Sequence, residues 1–253
     1  MNEPSKTQKF LYTTLPGRCL LKVLTTPGVS ALGGRIVSSK TSRLAIPHFV
    51  KKHGIDLEEC ATTKFSSFND FFTRELREGA RTIPEEKELL ISPCDAHLTI
   101  HHVGRDSGFS IKNALYTVSE LLGGDEVLAR RYDGGVCCIF RLTPKQYHRY
   151  CYIDDGVKEG NRKIRGVLHT RSFGSVVQME VGALMVGKIC NYHESHAFTR
   201  GEEKGRFEFG GSTIVLLFEE GSVTFDPQVL AASQKGCEVL VHLGDPIGKA
   251  CRP

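Results

Sequence analysis

The chain has 253 residues, 40% hydrophobic and 25% charged, with 26 glycines, no tryptophan and a formal charge of +4. That composition excludes disorder, a collagen repeat and a coiled coil, and the length allows one sizeable core with a helical attachment. The charge excess is too small to indicate nucleic acid; it fits an anionic membrane surface or an acidic ligand, and equally an ordinary, slightly basic surface.

Nine cysteines are scattered along the chain (Cys19, Cys60, Cys94, Cys137, Cys138, Cys151, Cys190, Cys237 and Cys251), odd in number and without a CxxC pair. No secretory leader pattern precedes them, so the expectation is free thiols in a reducing cytosol. No apolar run reaches the roughly 18 residues of a spanning helix. Val181–Val186 and Thr213–Phe218 are strand-length, and any membrane contact is expected to be peripheral.

In chain order, residues 1–60 read as helical and amphipathic, broken by Pro16, Pro27 and Pro47. Within Phe10–Val37, Leu15, Leu20, Leu21, Val23 and Leu24 stand against Arg18, Lys22 and Arg35. Such a segment lies in a bilayer interface or packs as a helical layer on its own protein. Phe65–Leu76 places Phe65, Phe68, Phe71, Phe72 and Leu76 at helical spacing, with Ser67 and Asp70 suited to capping. From Leu89 onward the pattern becomes short β-like runs between glycine-rich turns: Leu98–Val103, Val136–Leu142, Ser175–Glu180, Leu184–Ile189, Thr213–Phe218 and Val239–Leu243. A short helix is expected within Ser119–Arg131, and the charges of Arg200–Arg206 are expected on a solvated hairpin. The fold expected is α+β, with a helical N-terminal region (1–60, possible membrane association) on a β-rich core (61–253) of mostly antiparallel short strands.

The chemistry concentrates in Phe207–Phe218, FEFGGSTIVLLF, where a Gly-Gly-Ser-Thr turn separates two strand-like runs. Glycine permits unusual backbone angles, so a hydroxyl there can approach the carbonyl before it. Attack of Ser212 Oγ on the Gly211 carbonyl would turn the amide into an ester. β-Elimination would then cut the chain, and the resulting dehydroalanine would hydrolyse to a pyruvoyl group. The plain reading of the same residues is a turn before a buried strand. His193-Glu194-Ser195-His196 and His101-His102 carry metal-ligand residue types without a recognised partner spacing, and no metal is expected.

The segments FNDFFTREL, ISPCDAHLT, KNALYTVSELLGG, FRLTPKQYHRY, QMEVGALMVGKI and RGEEKGRFEFGGST occur in that order. With FLYTTLPGRCLLKVL near the N-terminus, they resemble the bacterial phosphatidylserine decarboxylases from near residue 8 to near residue 248. The resemblance implies self-cleavage between Gly211 and Ser212, a larger β chain ending at Gly211, and a small α chain beginning with a covalent pyruvoyl cofactor made from Ser212. It implies conversion of phosphatidylserine to phosphatidylethanolamine and CO2 through a pyruvoyl Schiff base, with Asp95 as the triad aspartate and His148 assisting decarboxylation. The implied setting is peripheral, at the cytoplasmic face of the cell membrane. Its partners would be a phospholipid substrate, the membrane surface and the chain's own cleaved fragments, with room for a homo-oligomer and none for nucleic acid.

Three departures stand beside the resemblance. Gly210 occupies a position where leucine is common. Cys151 stands where the YHRxH pattern has its second histidine, the triad base. The stretch Tyr152–Val177 is shorter than usual and lacks a Val-Asn-Pro-like segment. The base is therefore open among Cys151, His148 and His169, and two alternatives stay open with it. One is a pyruvoyl-dependent decarboxylase of a soluble amino acid; the other is an unprocessed, catalytically inactive, lipid-binding paralogue.

Overall fold

The computed structural model describes residues 14, 16–17, 27–104, 107–111, 114–158, 166–182, 188–210 and 212–251. Half of the amphipathic stretch Phe10–Val37 and the residue Gly211 lie outside them. Pro27 and Pro47 begin helices instead of breaking them, because proline at a first turn lacks only an N–H that has no intrahelical partner there. Helix α1 is Pro27–Val37, a 3₁₀ turn follows at Lys40–Ala45, and α2 is Ile46–His53. Gly54, at φ +61°, closes α2 after Lys51, Lys52 and His53, which suit the negative end of its dipole.

Helix α3 spans only Phe68–Phe72, and its cap is Ser67, whose side chain accepts from the Asp70 amide at 3.1 Å. The helix is shorter than the apolar spacing predicts because Leu76 leaves it to bridge Cys60, with Ala61 N donating to Glu75 O and Arg77 N to Glu59 O. The buried rings of Phe68, Phe71 and Phe72 pack with Ile46, Phe49 and Phe209, so the N-terminal helices dock on the segment that precedes Ser212.

The strands follow as β1 (Leu89–Ile91), β2 (Ala96–His102), β3 (Gly108–Ile111) and β4 (Ala114–Thr117). Two short helices come next, α4 (Val118–Leu121) and α5 (Glu126–Arg130). The second is the short helix expected within Ser119–Arg131, and Gly123 and Gly124, at φ +68° and +84°, separate it from the first. Then come β5 (Val136–Leu142), β6 (Arg149–Cys151), β7 (Gly156–Lys158), β8 (Gly166–Thr170), β9 (Gly174–Val181), β10 (Ile189–Asn191), β11 (His196–Phe198), β12 (Glu203–Phe207), β13 (Ser212–Phe218), β14 (Val223–Phe225), α6 (Pro227–Gln234), β15 (Val239–Val241) and β16 (Pro246–Ala250). Of the strand expected over Leu184–Ile189, residues 184–187 lie outside the described residues.

The fold class is α+β, with antiparallel pairing between the described strands. Eight strands form the main sheet in the order β11-β7-β8-β9-β13-β5-β2-β15, and two three-stranded sheets have the orders β10-β12-β6 and β1-β16-β14. Strand β13 is buried on both faces, which is why it reads as a continuous apolar run and not as an alternation. Ile214, Leu216 and Phe218 face a core shared with Phe140, Leu98, Tyr150, Cys151 and Phe207, whereas Val215 and Leu217 face one with Val118, Leu122 and Tyr132. Each fully buried side chain of this size contributes roughly 1.5–3 kcal/mol. Eight of the nine cysteines are described, and all eight are free. Among the described residues no helix is long and apolar enough to cross a membrane.

Candidate active site

Ser212 is the first residue of β13, opposite Leu142 at the end of β5, and only 2% of its surface is exposed. Its hydroxyl turns back upstream and donates to the carbonyl of Gly210 at 3.4 Å. Gly210 holds φ +154°, a backbone angle that side-chain-bearing residues rarely adopt. The turn between β12 and β13 therefore uses glycine where the departure from the family pattern occurs.

His148 is anchored to the strand that leads into this turn: its carbonyl accepts from the Phe207 amide at 2.9 Å. Its ring lies against Phe72, centroids 3.8 Å apart, and Phe72 in turn contacts Phe209 at 5.1 Å. Nδ1 sits 2.9 Å from the Gln146 carbonyl. A carbonyl only accepts, so Nδ1 carries the proton and Nε2 keeps its lone pair. Nε2 is buried and has no hydrogen-bond partner among the described residues. Burial, with the Arg74 cation nearby and against the Gln146 hydrogen bond, pushes the imidazolium pKa down to about 3. The ring is thus a neutral, unoccupied base at physiological pH.

Cys151 ends β6 with 1% exposure, and its amide donates to the Pro93 carbonyl at 2.9 Å. This bond lays the segment carrying Asp95 beside the position of the missing histidine. Burial pushes the Cys151 thiol up to about 12, so it is uncharged there.

Asp95 is buried at the start of β2, about two strand spacings (~10 Å) across the sheet from Ser212. Its carboxylate is occupied by others. Arg81 Nε donates to Oδ1 at 3.0 Å and Arg81 Nη2 to Oδ2 at 2.6 Å, while the Leu243 amide donates to Oδ1 at 2.8 Å. Among the described residues Asp95 makes no hydrogen bond to His148 or Cys151. It lines a cavity of about 230 Å³ with Arg74, Arg81, Gln146 and Tyr147, whose described lining does not include Ser212.

His169, a candidate replacement base, is placed elsewhere. It opposes Ser175 near the start of β9, whereas Thr213 opposes Val181. Those six residues (181 − 175) separate it from the start of β13 by about 20 Å along the strand.

Two arginines missed at the sequence level explain why the motif segments recur together. Arg74 of FFTREL is buried and donates to the carbonyls of Lys145 and Gln146 at 3.1 and 3.3 Å, fixing the loop that bears His148. Arg149 of YHR donates to Thr73 O at 2.9 Å and pairs with Glu75 and Glu203. The one signal available was their place inside segments of the family pattern.

The solvated hairpin expected at Arg200–Arg206 is corrected. Lys204 is 1% exposed, turned inward onto the buried Glu180 by a slip of register against β6. His193, His196 and Glu202 come together with their ligand-type atoms within 4.8 Å, a partner the spacing did not reveal. His196 Nε2 already meets Glu202 at 2.7 Å, and the two imidazoles stack 3.9 Å apart at 15°. Nearly parallel rings do not aim two in-plane lone pairs at one ion.

Comparison with known proteins is consistent along the chain. A profile of the phosphatidylserine decarboxylase family matches residues 68–171 and 157–249. The chain is 43% identical to phosphatidylserine decarboxylase proenzyme 2 of Clostridium acetobutylicum, over 95% of this chain and 91% of that protein. It is 37% identical to the phosphatidylserine decarboxylase proenzyme of Clostridium tetani, over 87% and 84% of the two chains. Identity to that of Ruminiclostridium cellulolyticum is also 37%, over 94% and 89%.

Proposed function

The chain belongs to the phosphatidylserine decarboxylase family, and from that premise we propose that it is a self-cleaving carboxy-lyase that takes CO2 from phosphatidylserine and leaves phosphatidylethanolamine. The cut falls between Gly211 and Ser212. Ser212 Oγ attacks the Gly211 carbonyl carbon while His148 Nε2 accepts the hydroxyl proton; the C–N bond breaks and an ester forms. Removal of the Ser212 Cα proton expels the Gly211 carboxylate and leaves dehydroalanine, which water converts to a pyruvoyl group with loss of ammonia. The relatives are named proenzymes, which supports processing of a precursor chain.

The pyruvoyl group supplies a carbonyl electrophile and electron sink for an amine substrate, in the role that a pyridoxal ring fills elsewhere. The chain's own residues do the rest. His148 holds its place on Phe72 and the Gln146 carbonyl, takes up at Nε2 a proton released by the substrate ammonium as the amine is captured, and gives that proton to the substrate carbon after CO2 departs. Cys151 contributes no base: a thiol near 12 is ionised in about one molecule in 10⁵ at pH 7. Asp95 works through Arg81 and the Pro93 carbonyl, holding the floor beneath Cys151 and His148 in place. Residues 1–60 form the lipid-facing attachment of a core at 61–253, and the exposed Leu32, Ile36 and Leu44 suit a peripheral membrane contact.

The observation that carries this reading is a buried hydroxyl turned back onto the turn just upstream of it, with a neutral histidine fastened to the strand that leads into that turn. The test is CO2 release by purified protein from phosphatidylserine in mixed micelles and from free serine. Release from the lipid, lost in Ser212→Ala, supports the proposal. Faster release from free serine assigns the substrate to soluble amino acids, and cleaved protein inert toward both refutes a decarboxylase.

A further inference from the structure

The cavity of about 230 Å³ beside Asp95 has no part in the mechanism, yet two of its lining side chains are buried donors with nothing to donate to. They are Arg74 and Gln146, each 6% exposed. Arg74 follows α3, and its Nη2 donates to the carbonyls of Lys145 and Gln146 at 3.1 and 3.3 Å. Its Nε and Nη1 are buried without a hydrogen-bond partner among the described residues. Gln146 is fixed at its acceptor end, where Oε1 takes the Thr143 amide proton, so the unpartnered atom of its side chain is the donor Nε2. The Gln146 carbonyl also meets His148 Nδ1 at 2.9 Å, so the cavity and the candidate base share one anchor.

The Arg74 guanidinium has no counter-ion in contact. Among the described residues no carboxylate hydrogen-bonds to it, and the neighbouring Cys60 thiol is kept protonated by burial. Burial also draws the Arg74 pKa below the ordinary arginine range. The carboxylates that line the cavity are engaged elsewhere. Asp95 and Glu59 both meet Arg81, at 2.6 and 3.2 Å, and the exposed Asp56 accepts from the Glu58 amide at 2.8 Å. Lys145 stands exposed at the mouth and adds a second cation to the approach. A buried cation without a partner is costly, and so is a buried donor without an acceptor. An oxyanion in the cavity removes both costs, accepting from Gln146 Nε2 and from a free N–H of Arg74. The space exceeds the roughly 30 Å³ that one water takes up in the liquid. Donors on two separate side chains suit a tetrahedral oxyanion, which offers acceptors in several directions, better than a planar carboxylate.

We infer that this cavity binds a phosphate-type oxyanion, held by Arg74 and Gln146 with Lys145 at its mouth. The anion is the free ion or the phosphodiester of a lipid headgroup. The test is titration calorimetry on the uncut, unreactive Ser212→Ala protein at constant ionic strength, with inorganic phosphate, glycerophosphoserine and serine as probes. Phosphate or glycerophosphoserine is expected to bind, and serine at least tenfold more weakly. Adding Gln146→Glu keeps the acceptor for Thr143 and replaces the free donor by a carboxylate. It is expected to weaken the bound probe at least tenfold and to end the rise of melting temperature with phosphate that the parent shows. Tighter glycerophosphoserine assigns the anion to a lipid headgroup and tighter phosphate to the free ion; either supports the site. No binding of either at millimolar concentration, or equal binding with and without Gln146→Glu, overturns it. Serine bound as tightly as phosphate marks a carboxylate site and overturns the phosphate assignment. If Gln146→Glu does not fold, Lys145→Glu at the exposed mouth decides: at least threefold weaker binding is expected, and unchanged binding overturns the site. Because binding is read without turnover, its outcome is independent of whether the chain decarboxylates phosphatidylserine.

Discussion

The pH dependence of self-cleavage separates the candidate bases by the shape of the curve. Burial sets the His148 pKa near 3 and the Cys151 pKa near 12. If His148 is the base, its neutral form is already complete above about pH 5, and the cleavage rate is flat from pH 5 to 8. If Cys151 is the base, the thiolate fraction rises tenfold per pH unit over that range and the rate rises with it. Forming the thiolate at pH 7 would cost about 7 kcal/mol, five pH units at ~1.4 kcal/mol each. An ordinary exposed histidine would instead give a rate that falls below about pH 6.5. The assay is cell-free translation of the 28.0 kDa chain, then a chase at each pH with the intact band followed on denaturing gels. Cys151→Ala is expected to keep both the flat profile and the rate within a few fold, and His148→Gln to slow cleavage by about 10²–10⁴. A log rate climbing with unit slope from pH 6 to 8, abolished by Cys151→Ala, refutes the reasoning.

Three further outcomes follow from the same geometry. His148 has a folded pKa of about 3 against roughly 6.5 unfolded, so the unfolded chain binds the proton first. The resulting stability is whole above pH 6.5 and lost as pH falls toward 3, at about 1.4 kcal/mol per unit and up to about 5 kcal/mol in all. Urea midpoints at pH 7, 5 and 4 should fall less steeply in His148→Gln than in the parent; identical slopes contradict the assignment. Arg81→Leu strands the Asp95 carboxylate, a loss of about 3–5 kcal/mol in thermal melts. Arg81→Lys should recover only part of it, because one ammonium cannot reproduce the two-pronged contact. Gly210→Ala, at φ +154°, should cost about 1–3 kcal/mol and slow cleavage; unchanged stability and rate would mean the turn is not held in that conformation.

Strand β13 and its neighbours were legible because burial on both faces leaves an unbroken apolar run, and α3 announced itself through Ser67. The short helix expected within Ser119–Arg131 is present as α5, while the break at Gly123-Gly124 that sets it apart from α4 is a local backbone preference that apolar spacing does not record. Ser212, His148 and Asp95 were visible through the family pattern, and so was the absence of the second histidine. What that absence does was not visible. Whether a thiol or an imidazole can act as base depends on desolvation, and only the packed core around Phe72, Cys94 and Tyr150 sets it. Arg81 stands 14 positions before Asp95, with β1 and its flanking loops between them, and no periodicity records such a contact. Lys204 sits in a run of charges that reads as solvated, and a single slip of register turns it into the interior.

The central claim, that the chain severs itself before Ser212 and converts that residue, is tested most directly by intact mass spectrometry of freshly purified protein. The account predicts two species: residues 1–211 with a free carboxylate, and residues 212–253 lighter than their serine-started form by one ammonia. A single uncut chain in a preparation that decarboxylates phosphatidylserine would contradict it.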